Sequence, residues 1–147
     1  DLLTLPPATV ANFFMTERIG ERYRSRLAGT RMIEGIGYET RGRYLDEMVD
    51  PQVYSERKVL FDRCTDRGIA IHYRATLAAP ERGHIAFSRV LLPVRSTPGT
   101  GIDMICGVMR FFGTGDLHRP ERRRIDDGFR GILYAHEFHD GFWHPIP

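Results

Sequence analysis

The sequence predicts an α+β domain, and three observations lead to this class. Stretches typical of strands occupy both ends of the first 112 residues, and helix signals are confined to the segment between them. The 147 residues are 41% hydrophobic and 27% charged, which is typical of one compact domain. A chain of this length buries roughly 70% of the surface that it exposes when unfolded, so it needs no disulfide or metal to hold its core.

The chain begins with an arm, residues 1–7, and continues with a predicted hairpin. Residues 12–18 and 22–29 are of strand type, and the glycine between them suits a tight turn. In the second strand Tyr23, Ser25 and Leu27 alternate with three arginines. This alternation indicates a half-buried sheet with one inward face.

Helix signals follow the hairpin. Thr30 can cap a short helix that runs through Ile36, and Gly37 can end it in the left-handed conformation. A second short helix is predicted over residues 43–48. The pair Asp50-Pro51 starts a longer helix, because Asp50 accepts from free backbone N–H groups and proline has no N–H to waste. This helix runs to residue 67 and stops at Gly68.

Three further strands are predicted after Gly68. Over residues 69–77 every second residue is apolar or aromatic, and the residues between them are Ala70, His72, Arg74 and Thr76. Residues 84–95 form a longer strand. Its apolar residues stand at odd-numbered positions in the first half and at even-numbered positions in the second, which predicts a bulge near Ser88 or Arg89. Residues 102–112 carry apolar side chains at both odd and even positions, as expected of a central strand that is covered on both faces.

The last segment, residues 113–147, reads as a C-terminal helical extension with an aromatic tail. Four apolar residues follow the i, i+4, i+7, i+8 spacing of an amphipathic helix. We expect them to form a dimer or docking face. They are Ile125, Phe129, Ile132 and Leu133.

The order and spacing of three stretches, residues 23–30, 37–43 and 90–94, resemble a PAS domain. They contain Gly29-Thr30 and Leu92-Pro93, and the likeness is closest to a PAS-like family common in alphaproteobacteria. The resemblance implies a PAS-like five-stranded antiparallel sheet in the order 2-1-5-4-3, with short helices on one face around a small cavity, over residues 11–112. It also implies a sensory module of signal transduction, without catalysis, that binds a small molecule or a signalling protein and forms a homodimer.

We expect the cavity of such a fold to be lined by side chains of the helices and of the sheet face that the helices cover. The alternative is that the same side chains are only core. The predicted lining residues are Ile33, Ile36, Tyr44, Leu60, Phe61, Tyr73, Leu92 and Cys106.

No cofactor is predicted. Haem-binding members of the family use a histidine of the long helix, and residues 51–67 contain none. Flavin-binding members carry a cysteine in a motif that the surroundings of Cys64 do not match. His136 and His139 lie three residues apart rather than the four of a helical zinc site, so no metal is expected.

The charge pattern excludes further classes. A formal net charge of +2 gives no field that gathers nucleic acid or anionic membrane, and acidic residues accompany the arginines at 122–124. No apolar run approaches the roughly 18 residues of a membrane span. We therefore expect neither a nucleic-acid nor a membrane partner, and a cytoplasmic location.

Two alternatives to a sensor stay open. In a small α+β-barrel enzyme, His72 and Asp103 would perform acid–base chemistry inside a pocket. Such a barrel needs a long N-terminal helix, where this chain has strand-type residues. The second alternative is a purely structural dimerisation module with a filled core.

Overall fold

A computed structural model gives the structure of the protein and describes residues 4–79, 83–112 and 129–147. The elements are α1 Pro7–Asn12, β1 Phe13–Ile19, β2 Arg22–Ala28, α2 Thr30–Ile36, α3 Leu45–Met48, α4 Pro51–Arg67, β3 Ala70–Ala79, β4 Gly83–Val94, β5 Met104–Phe112, β6 Phe129–His139 and β7 Phe142–Ile146.

The strands form one antiparallel sheet in the order β2-β1-β5-β4-β3-β6-β7. The α+β class and the antiparallel sheet are confirmed, and the first five strands follow the order 2-1-5-4-3. The sheet has seven strands rather than five within the described residues. The reason is that β6 pairs with the edge of β3 and β7 pairs with β6.

Helix α4 begins and ends where the sequence predicts. The Asp50 carboxylate accepts a 2.9 Å hydrogen bond from the Gln52 backbone N–H, and Gly68 adopts a left-handed φ of 64°. Helix α2 spans Thr30–Ile36 and ends at Gly37, but its N-cap is Gly29 rather than Thr30. Helix α3 is shorter than predicted, at Leu45–Met48.

The N-terminal stretch forms a short helix that the sequence reading missed. Helix α1 covers Pro7–Asn12, and Pro7 occupies its first turn, where a missing N–H costs nothing. It packs beside α2, with Gly29 at the closest approach. A Cβ added at Gly29 would lie 2.3 Å from the Ala11 carbonyl oxygen, so only glycine fits there.

The predicted bulge in β4 is wrong. The strand keeps one register with β3 from Gly83 to Leu91 and with β5 from Ala86 to Val94. Apolar residues occur on both parities because β4 is a central strand with two apolar faces. Ile85, Phe87, Arg89 and Leu91 are buried on one face.

The predicted C-terminal helix is also wrong. Phe129, Ile132 and Leu133 lie in strand β6, and Ile125 lies outside the described residues. A register shift in the β3–β6 ladder skips Leu133, which lies between the paired residues Tyr134 and Ile132. Leu133 is exposed, whereas Ile132 packs against the core. Pairing with the open edge of β3 therefore overrides the local helical spacing.

The two faces of the sheet differ. We call the face covered by α2, α3 and α4 the inner face, and the opposite one the outer face. The inner face holds the main core, in which the rings of Tyr23 and Phe61 meet edge to face with centroids 5.1 Å apart. The described helices leave the outer face uncovered, and Leu92 and Trp143 stay exposed there.

Candidate functional site

A small cavity lies between the inner face of the sheet and helices α2, α3 and α4. Its volume is about 30 Å³, which is room for about two water molecules. Strands β1, β2 and β4 supply one wall, and the helices and their loops supply the other. The lining residues are Phe14, Thr16, Tyr23, Ser25, Met32, Ile36, Thr40, Leu45, Met48, Val49, Arg57, Phe61 and Arg89.

The period of each element explains this lining. Alternate strand residues point to one face, so Phe14 and Thr16 of β1 reach the cavity together, as do Tyr23 and Ser25 of β2. On α4 the buried positions include Arg57, Leu60, Phe61 and Cys64, which follow the i, i+3, i+4, i+7 spacing of one helix face. An arginine thus occupies a core position of α4.

Two arginines are buried at the cavity. Arg57 is 1% exposed and Arg89 is 7% exposed. Arg89 lies on the inward parity of β4, directly opposite Tyr73 of β3. Burial lowers the pKa of the Arg57 guanidinium from its ordinary value, and the positive charge of Arg89 lowers it further. None of the lining residues is acidic.

The Arg89 side chain is held by aromatic rings. Its Cζ lies 3.9 Å from the ring centroid of Phe14 and 5.4 Å from that of Phe61. Such stacking attracts the cation but satisfies none of its N–H donors that lie in the guanidinium plane. Within the described residues, the Arg89 guanidinium has neither a hydrogen-bond acceptor nor an ion-pair partner.

Hydroxyl groups supply the other polar atoms of the cavity. Ser25 Oγ and Thr40 Oγ1 lie 3.0 Å apart within hydrogen-bonding distance. The Tyr23 hydroxyl donates to Asp62 at 2.7 Å, and burial raises the pKa of this phenol. Tyr23 is therefore a neutral donor that ties β2 to α4, rather than a base.

The predicted lining residues are only partly brought together. Ile36 and Phe61 line the cavity, while Leu60 and Tyr73 are buried in the surrounding core without lining it. Ile33 is half-buried and also lies outside the lining. The Tyr44 ring instead carries the Arg22 guanidinium 3.7 Å above it. Whether any of them contacts a ligand stays a prediction.

Leu92 and Cys106 were predicted to line the cavity, but the structure places both on the outer face of the sheet. They pair with each other across β4 and β5, and Cys106 also pairs with Met15 of β1. The residues that point inward are their neighbours along the three strands, Phe14, Gly107 and Leu91, which pair with one another across the sheet. Adjacent residues of a strand point to opposite faces of the sheet, so an error of one position places a side chain on the wrong face.

Sequence reasoning missed the two arginines and the hydroxyl groups. The signal for Arg89 was present, since position 89 continues the inward series 85, 87 and 91 once β4 is read without a bulge. The assumption that a buried strand position must be apolar concealed it.

The structure does not bring His72 and Asp103 together. His72 Nε2 lies 2.5 Å from Ser88 Oγ, whereas Asp103 accepts a 2.8 Å hydrogen bond from the Ser96 backbone. His72 pairs with Val90, and the residue after Asp103 pairs with Val94. Four residues of strand separate these positions by roughly 13 Å along β4.

The described residues hold no cluster of three or more side chains able to bind a metal ion. In the same part of the chain, every helix is too short or too polar to cross a membrane.

Residues 7–110 match the sequence profile of the PAS domain family. The match covers more than half of the chain, and the protein therefore belongs to the PAS domain family. No curated protein and no solved structure matches it significantly. Membership of this family indicates, in general terms, a sensory or regulatory role.

Proposed function

We propose that this protein is a non-catalytic sensory module of signal transduction that binds a small ligand in its inner cavity. The observation that carries the proposal is the cavity itself, which combines an apolar wall with a few buried polar groups. The closer likeness to the alphaproteobacterial family and a cytoplasmic location belong to the same proposal.

The short helices α2 and α3 form the element that responds to the ligand. Helices α2 and α3 have 7 and 4 residues, lengths at which a helix has little stability of its own and depends on packing. A ligand that contacts Met32 or Leu45 from inside the cavity changes that packing. It shifts the domain between two states only by the difference in its affinity for them.

Native mass spectrometry of the purified protein tests this proposal. We expect a retained small molecule in the wild type and its loss in Ser25→Val, which adds bulk inside the cavity. Ser88→Val is the matched control, because Ser88 belongs to the other parity of β4 and lies outside the cavity lining. Equal retention by both variants, or bare protein that no small molecule stabilises, would contradict the proposal.

The outer face favours a second role, in self-association. Leu92, Tyr134, Phe138 and Trp143 are each at least 40% exposed there. Burial lowers the pKa of His72 at this patch, and the neighbouring His136 and Arg74 lower it further. Arg74 lies opposite Tyr134 at this patch, but the exposed side chains named above are mainly apolar, so we propose a homodimer through this face.

Light scattering after size-exclusion chromatography measures the dimer. We expect Leu92→Asp to be monomeric, whereas Val59→Asp on the exposed side of α4 stays dimeric. A monomeric wild type would contradict the homodimer. A bare dimer with a filled core would instead favour the purely structural module.

A further inference from the structure

The charge of the cavity is unbalanced, and the imbalance indicates what the cavity binds. Arg57 and Arg89 both line it, and no acidic side chain does. Arginine stays protonated in proteins, and a buried charge without compensation is costly. Glu56 lies outside the lining, but its negative charge favours the protonated form of Arg57, so the charge that lacks an acceptor within the described residues is that of Arg89.

Arg89 carries the argument, because its donors have no acceptor among the described residues. Its Cζ lies within cation–π distance of the rings of Phe14 and Phe61. The Nε–H of Arg89 is buried without an acceptor in the described residues, and a guanidinium with free N–H donors can bind a carboxylate or phosphate through two parallel hydrogen bonds.

The size and the polar lining of the cavity complete the argument. Its volume of about 30 Å³ fits a group of a few heavy atoms, such as a carboxylate. Thr16 and the paired hydroxyls of Ser25 and Thr40 lie in the same lining and supply further donors. We infer that the ligand of this cavity is a small oxyanion, held by Arg89. This inference rests on the proposed function, since it names the ligand class of the same site.

Thermal unfolding and calorimetric titration of the whole protein with sodium acetate, malonate and phosphate test the inference. Acetamide at the same ionic strength is the neutral counterpart of acetate. We expect at least one of the three anions to bind and to raise the unfolding temperature, and acetamide to do neither. The anion that binds distinguishes a carboxylate ligand from phosphate.

The decisive variant is Arg89→Met, which removes the charge and keeps most of the side-chain volume. We expect it to lower the affinity for the anion by at least about tenfold, because a hydrogen-bonded charge pair is lost. Without ligand it should unfold at the same or a higher temperature than the wild type, since a buried charge has gone. Arg110→Met, at an exposed position of β5, should leave binding unchanged.

The oxyanion would be overturned by binding of acetamide as tight as that of acetate, or by anion binding that Arg89→Met leaves intact. A neutral molecule retained by the wild type and lost in Ser25→Val would also overturn it, while leaving the proposed ligand-binding function in place. The two proposals therefore fail separately.

Discussion

Arg63 of α4 donates a hydrogen bond of 2.5 Å from Nη1 to Oε2 of Glu137 in β6. Arg67, one turn further along α4, reaches the same oxygen at 2.9 Å. Glu137 is buried, and it lies opposite Ile71 of β3 in the sheet. The C-terminal hairpin is thus joined to the main helix by charge as well as to β3 by backbone pairing.

Glu137→Gln should reduce stability in a pH-dependent way. The hydrogen bond from Arg63 is the largest cause that holds the pKa of Glu137 below its usual 4.5. Because the unfolded chain takes up the proton more readily, this carboxylate stabilises the fold above pH 4.5 and stops doing so as the pH falls through the lower folded pKa. At pH 7 we expect a loss of about 1–3 kcal/mol, measured by urea unfolding.

The control for this prediction is Glu34→Gln, at an exposed position of α2. It should match the wild type at every pH. If Glu137→Gln and the wild type lost stability in parallel between pH 7 and 3, the ion pair would have no part in holding the hairpin.

Gly29→Ala should be strongly destabilising although it adds only one methyl group. The new Cβ would lie 2.3 Å from the Ala11 carbonyl oxygen and 2.4 Å from that of Val10, and backbone atoms cannot move aside cheaply. We expect a loss of about 1–3 kcal/mol in thermal or urea unfolding. Gly101→Ala is the matched control, because a Cβ there meets nothing within 4 Å. Similar losses in both variants would show that α1 does not pack on Gly29 as described.

Asp50→Ala should weaken α4 at its first turn. The lost hydrogen bond to the Gln52 N–H leaves an unsatisfied donor, and such a cap contributes about 1 kcal/mol. Asp50→Asn keeps an acceptor in the same place and should retain most of the stability. Equal unfolding midpoints for Asp50→Ala and the wild type would mean that the cap is not used.

Local signals account for what the sequence predicted well. Helix α4 has a side-chain cap and a proline at one end and a left-handed glycine at the other, so its bounds follow from Asp50, Pro51 and Gly68 alone. Strand β3 follows from the two-residue period of its apolar side chains. Elements with such signals are set mainly by interactions within a few residues.

Long-range pairing accounts for most of what the sequence did not predict. The residues of β6 have helical spacing, and only the open edge of β3 makes them a strand. The cavity shows the same limit, since Leu92 and Cys106 are apolar residues of central strands whose two faces look alike in sequence. Ile36 and Phe61 were easier to place, because a helix has one buried side.

The two cysteines should differ in reactivity, which tests the placement of both faces at once. Cys64 is buried in the core under α4, and burial raises the pKa of its thiol to about 12, whereas Cys106 is only half-buried on the outer face. In Cys106→Ser, we expect the remaining thiol to react with a disulfide reagent at pH 8 only as fast as the protein unfolds, and faster in urea. In Cys64→Ala, the Cys106 thiol should react in the native protein, and more slowly at concentrations where a dimer covers the outer face. Fast native labelling of Cys106→Ser would place Cys64 outside the core and contradict the packing of α4 on the sheet.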